Sequence, residues 1–144
     1  MSPDTATVFA ATLAALLPLH NLADHVTQTD TMARHKADPG RKGWAANLRH
    51  ITAYHLTIAP VLALLDLVLH LGYRPLGAIL ALTWSAGTHA LLDRRWPVRW
   101  ILIRLRAGAF ADLAGNGMNG QYLCDQALHS VALLIAALTL TAVH

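Results

Sequence analysis

Apolar residues recur along the chain in four long stretches, at about residues 6–29, 48–71, 75–93 and 120–143. Each approaches the ~20 residues a helix needs to cross a ~30 Å hydrocarbon core. The pattern predicts an all-α fold, a four-helix transmembrane bundle running up-down-up-down, with residues 1–144 forming a single integral membrane domain. The purely apolar part of the first stretch, Ala6 to Leu19, is short. Its polar last turns must therefore sit inside protein or at the interface.

The connections read from their punctuation. Arg34 to Gly43 combine charge, Pro and Gly, which predicts a loop. Leu71 to Pro75 is tight, with Pro75 suited to the first turn of the third helix, so the second and third helices form an antiparallel hairpin. In residues 96–106, Trp and Arg alternate with aliphatic residues. That alternation favours a short interfacial helix over an ordinary basic loop, because Trp sits at headgroup depth while Arg snorkels to phosphates. Residues 115–120 predict a flexible turn in which Asn119 caps the fourth helix.

Composition agrees with lipid as the solvent. Of 144 residues, 55% are hydrophobic and 13% charged; glutamate is absent and all eight acids are aspartate. A soluble surface of paired Glu and Lys is therefore missing. The net charge of +3 raises the question of nucleic acid. However, the basic residues fall into two loops and do not stripe a helix, so no nucleic-acid partner is expected. Arg34, Lys36, Arg41, Lys42 and Arg49 lie in one loop region, and Arg94, Arg95, Arg99, Arg104 and Arg106 in the other; only Arg74 lies elsewhere. The positive-inside rule makes both loops cytoplasmic and both termini external. Met1 to Ala23 contain no Lys or Arg, so this segment is expected to stay as a first helix and not to act as a cleaved signal. A single cysteine, Cys124, rules out an internal disulfide or a Cys-rich zinc site and reads as a packing residue.

The polar interruptions of the apolar stretches carry the chemistry. His20, Asp24 and Gln28 recur every four residues and share one helical face. His89 and Asp93 repeat the spacing, and Asp125 and His129 invert it, with Gln121 one turn earlier. The second helix offers His50 and, one turn on, Tyr54; His55 lies about 140° away from His50 and faces another neighbour. These groups sit at the ends of helices one and three and the starts of helices two and four. In the expected topology those ends share one side, so His20, Asp24, His50, His89, Asp93, Asp125 and His129 can converge in one layer.

Such a layer has a bland explanation, hydrogen bonding between helices at ~1 kcal/mol each. The number of ionisable groups favours a metal site instead, because clustered carboxylates in low dielectric need a cation. Imidazole and carboxylate suit zinc, and mixed sites in bundles also hold iron or manganese. Gln28, Tyr54, Gln121 and Gln126 are then supporting or substrate-contacting groups. His35 in its loop and the terminal His144 are expected to be solvated. Asp66 and His70, at the opposite end of helix two, read as a local pair.

These motifs are H-x-x-x-D-x-x-x-Q at His20 to Gln28, a helix-starting His50, H-x-x-x-D at His89 to Asp93, and D-Q-x-x-H at Asp125 to His129. Together they resemble the small bacterial and phage membrane-protein family called domain of unknown function 3307. The resemblance spans nearly the whole chain, and D-Q-x-x-H is its most specific part. It departs after Asp93, where a Lys is expected and Arg94 and Arg95 stand. The resemblance implies topology and a bacterial cytoplasmic-membrane location more than an activity. More loosely, the His and Asp content is similar to that of membrane-bound metal-dependent hydrolases.

Three functions follow as expectations. The first is a metal-dependent hydrolase with Asp24, Asp93 or Asp125 as base, acting on a lipid or lipid-linked phosphate drawn in by Arg94, Arg95 and Arg99. The second is an ion- or proton-coupled transporter, for which Asp66 and His70 would matter. The third is a non-catalytic membrane partner or regulatory module held together by the polar layer.

Overall fold

The computed structural model describes residues 4–142. Helix α1 (Thr5–Asn21) is capped by Asp4, whose side chain accepts from the Thr7 N–H at 2.8 Å. That bond holds the exposed Asp4 carboxyl below its usual range. The helix then widens into a π segment (Leu22–Val26), closed by Thr27 N–H to the Leu22 carbonyl. Single π turns of this kind gather at functional sites because they turn one residue out of the regular α register. Here they carry Asp24.

Thr29 caps α2 (Asp30–His35), and α3 runs from Gly40 to Leu69. The loop expected over residues 34–43 is thus mostly helix, with only residues 36–39 between the two. Gly40 enters α3 at φ +71°, a conformation suited to glycine, while Arg41 and Lys42 lie exposed on the first turn. Charge and glycine there mark solvent exposure, not a break. At the far end, His70 takes the left-handed conformation at φ 51° and ends α3. Asp66 Oδ1 then accepts from the N–H groups of Gly72 (2.7 Å) and Tyr73 (3.1 Å). Asp66 therefore closes the turn and is not paired with the His70 side chain among the described residues.

Helix α4 (Pro75–Leu92) begins with its proline in the first turn, as the sequence predicts. Arg95, at φ 63°, reverses the chain into α5 (Trp96–Arg104). Residues 96–106 thus include a helix, with Val98 and Leu102 buried against Leu92 and Ala111 and with Trp96 and Trp100 outward. After α6 (Gly108–Ala111), the expected flexible turn is a small antiparallel hairpin of β1 (Ala114–Gly115) and β2 (Met118–Asn119). Asn119 Oδ1 accepts from Tyr122 N–H at 2.9 Å at the start of α7 (Gly120–Ala142).

Among the described residues, four helical segments are long and apolar enough to cross a membrane: Thr5–Val26, Gly40–Leu69, Pro75–Leu92 and Gly120–Ala142. Only 17–33% of their most apolar windows is buried within the chain. Most of that apolar surface therefore faces outward, which suits lipid and is compatible with a multi-pass membrane protein. The buried remainder forms one core of Leu16, Ala23, Tyr54, Ile58, Leu133 and Ala137, and a second between α4 and α7 built on Ala81, Ala136 and Leu140. Small residues let α4 and α7 approach closely, and they are the most extensively packed pair.

Candidate metal centre

The π segment, the start of α3 and the end of α4 meet around four buried side chains. Asp24, His50, His89 and Asp93 are each no more than 3% exposed, and one ligand atom from each lies within 4.8 Å of all the others. His50 Nε2 is 3.0 Å from Asp24 Oδ1, 3.0 Å from His89 Nε2 and 3.3 Å from Asp93 Oδ2. His89 Nε2 is 3.6 Å from Asp24 Oδ1 and 3.3 Å from Asp93 Oδ2.

One ring nitrogen here stands close to three neighbours at once. A ring nitrogen presents either one proton or one lone pair, so His50 Nε2 makes one full hydrogen bond among the two carboxylate oxygens and the His89 ring nitrogen around it. His50 Nδ1 and Asp93 Oδ2 are both buried without a hydrogen-bond partner, a costly state for polar atoms in a dry interior. The distances suit something else. Four ligands about 2.05 Å from a tetrahedral zinc ion lie about 3.4 Å from one another, and the five separations above fall between 3.0 and 3.6 Å. The four residues can hold a metal ion.

A fifth group stands among them. Lys36, 9% exposed, places Nζ 2.8 Å from Asp93 Oδ1, 3.4 Å from Asp24 Oδ1 and 3.3 Å from His50 Nε2. Its ammonium supplies positive charge to both carboxylates. The basic loop gave no sign of this, because nothing in the spacing of Lys36 separates it from Arg34 or Lys42. Arg94 fixes the backbone that carries it: the guanidinium donates to the Lys36 carbonyl at 2.7 Å and to the Asp38 carbonyl, and stacks 4.7 Å from the Trp44 ring. Arg94 is therefore a clamp on the Lys36 segment and not a free anion receptor. Gly43 completes the fit, since a Cβ there would collide with the Asp38 carbonyl.

Gly43→Ala should consequently lower the thermal midpoint of the detergent-solubilised protein, by the equivalent of about 1–3 kcal/mol of overpacking. Gly87→Ala, with nothing within 4 Å, should leave it unchanged or raised, because Ala favours a helix interior by up to ~1 kcal/mol.

The seven-residue layer expected from the sequence divides into the four and a supporting set. Gln126 Nε2 donates to Asp24 Oδ2 at 3.1 Å, so its Oε1, 3.2 Å from His20 Nε2, accepts from that ring. The other ring nitrogen of His20 then accepts from the Tyr54 hydroxyl at 2.9 Å. With both nitrogens engaged, His20 is not free to ligate and acts on Asp24 through Gln126. Tyr54, 1% exposed, anchors the chain of bonds.

His129 donates from Nδ1 to the Asp125 carbonyl at 2.9 Å, and its ring lies 4.5 Å from that of His89. Its Nε2, left with a lone pair, is buried without a partner, as is Asp125 Oδ1. Asp125 and His129 thus border the four. His55 turns toward α4, where its Nε2 meets Ser85 Oγ at 3.1 Å. His35 pairs with Asp38 at the surface (2.7 Å), Cys124 packs beside the Leu92 cluster, and His144 lies outside the described residues.

A polar cavity of about 380 Å³ opens beside the centre. Asp24, Lys36 and Asp93 contribute to its lining, together with Gln28, Arg95, Gln121, Asp125 and Gln126. Gln121 also donates to the Arg95 carbonyl at 2.8 Å. His25 and Tyr122, bonded ring nitrogen to hydroxyl at 2.7 Å, join the lining. Neither was expected from the sequence; His25 lies off the face shared by His20 and Asp24 in a regular helix, and only the π turn signals a change of register.

No curated protein and no solved structure matches the chain. A family model described as Protein of unknown function (DUF3307) matches residues 12–144, carrying every group of the centre, and the chain belongs to that family.

Proposed function

We propose that this is a multi-pass protein of the bacterial cytoplasmic membrane that binds one divalent transition-metal ion at Asp24, His50, His89 and Asp93. We further propose that it uses the ion to hydrolyse a lipid or lipid-linked phosphate. The observation that carries the metal is the set of ligand separations near tetrahedral spacing, with one of the ligand atoms, Asp93 Oδ2, buried without a hydrogen bond. Two imidazoles and two carboxylates suit zinc, iron or manganese.

A bound ion would supply Lewis-acid activation of water next to the polar cavity. The chain's own groups then divide the work. Arg95, in the cavity wall, is a cation for phosphate oxygens. Asp125, with Oδ1 unpartnered, accepts a proton from water as the water oxygen bonds to phosphorus, and the ester P–O bond breaks. That proton passes to the departing alcohol.

Phosphate release from phosphatidate vesicles tests the reaction. Asp125→Asn should keep the metal and lose at least about 100-fold in rate, the usual worth of a general base. Equal rates in wild type and Asp125→Asn, or undiminished release after chelation, would remove the hydrolase reading while leaving the metal site standing. Gln126→Ala tests the support of Asp24 and should weaken metal binding by about 10- to 100-fold, as the loss of a group that orients a ligand does; isothermal titration with zinc reads it.

One observation favours a second reading. Lys36 already sits among the carboxylates, so the cluster would serve as a closed ion-pair layer joining the π segment, α3 and the end of α4 in a non-catalytic membrane module. The two readings part on what happens when Lys36 is removed.

A further inference from the structure

Toward the end of the bundle away from the candidate metal centre, residues of α1, α3, α4 and α7 line a second cavity of about 320 Å³. Its walls are almost wholly aliphatic, including Leu16, Ile58, Leu62, Ala81 and Leu140. Its lips, Ala59, Ala63, Ala78 and Leu82, are exposed on the outer surfaces of two helices apolar enough to span a membrane. The groove therefore opens sideways toward lipid.

Its two ends differ in chemistry. The inner end is closed by the His55–Ser85 hydrogen bond at 3.1 Å. At the outer end stands Arg74, whose carbonyl accepts from Ala78 N–H, whose guanidinium makes no hydrogen bond or ion pair among the described residues, and which is the one Lys or Arg outside the two cationic loops. Asp66, which also lines the groove, accepts from the Gly72 and Tyr73 amides at Oδ1 and forms no ion pair with Arg74 among the described residues. From Pro75 to Ser85, α4 rises about 15 Å, which is half of a ~30 Å hydrocarbon core. The groove has the length of one leaflet's acyl region, with a cation at headgroup depth and a polar stop near the midplane.

We infer that this groove binds one acyl chain of an anionic phospholipid from the leaflet at the Arg74 end, with Arg74 taking the phosphate. The site rests on the membrane-spanning reading and is independent of the metal. The aliphatic walls exclude a polar ligand, and an unpaired arginine selects an anionic head over a zwitterionic one.

Native mass spectrometry of delipidated, detergent-held protein titrated with phosphatidylglycerol or phosphatidylcholine reads the site. One phosphatidylglycerol per chain should be retained in preference to phosphatidylcholine. Arg74→Gln should lower that retention about fivefold, the factor for one basic residue at an anionic surface. Ala63→Phe, which fills the groove from its lipid-facing lip, should reduce retention to the phosphatidylcholine level with metal content unchanged. Equal retention of the two lipids by wild type, or no change in both variants, would overturn the inference. A chain that stays monodisperse in water without detergent would overturn the membrane reading with it.

Discussion

Lys36→Met, stripped of divalent ions, should unfold with a stability about 3–5 kcal/mol below wild type, and zinc should restore it. The loss follows from burial: Asp24 and Asp93 are each 3% exposed, and the Lys36 ammonium is the lysine or arginine charge within 3.4 Å of both. Removing one partner of a buried ion pair leaves the other uncompensated, which costs that much. A divalent ion held by the same carboxylates would replace the missing charge, and at about 1,000 times its dissociation constant would return about 4 kcal/mol. Zinc should also bind Lys36→Met more tightly than wild type, because no ammonium has to leave. Thermal melts in detergent, with chelator and with zinc, read both effects. If zinc leaves the Lys36→Met midpoint where it was, the cluster is a closed ion-pair layer and not a metal centre.

His89→Ala should weaken zinc binding by about 100- to 1,000-fold, one ligand's share of the ~10–16 kcal/mol typical of a four-ligand zinc site. His89 Nε2 lies 3.0 Å from His50 Nε2 and is one of the four atoms that could hold an ion. His20→Ala should cost less, about 10- to 100-fold, since His20 reaches Asp24 only through Gln126. His55→Ala should leave zinc affinity unchanged, because its ring bonds to Ser85 and the Ile51 carbonyl. Competition titrations against a chromophoric chelator give the order. Equal effects from His55 and His89 would place the ion elsewhere.

The sequence made the four apolar helices legible because crossing a hydrocarbon core demands an unbroken apolar length, and that length is visible in one dimension. It also showed that His20, Asp24, His50, His89, Asp93, Asp125 and His129 belong together. Four-residue spacing puts a pair on one face, and the helix ends set the depth. Which of the seven could hold an ion was not legible. That depends on where protons go: His20 is engaged through Tyr54 and Gln126, a matter of side-chain contacts across three helices.

Lys36 was invisible for a different reason. A flexible side chain in a charged connection has no periodicity, and its burial depends on the distant Arg94 gripping the carbonyls of Lys36 and Asp38. The helical start of α3 was hidden behind Pro39, Gly40 and two exposed cations, which read equally well as a loop or as an uncovered first turn. The π segment left no mark in composition, yet it sets the position of Asp24.

Metal content of the purified wild-type chain, measured by elemental analysis after zinc loading and a wash with a weak chelator, tests the central claim most directly. The wash removes ions from surface groups such as His35 and Asp38. The geometry of Asp24, His50, His89 and Asp93 predicts about one zinc ion per chain; a content near zero after the same loading would contradict it.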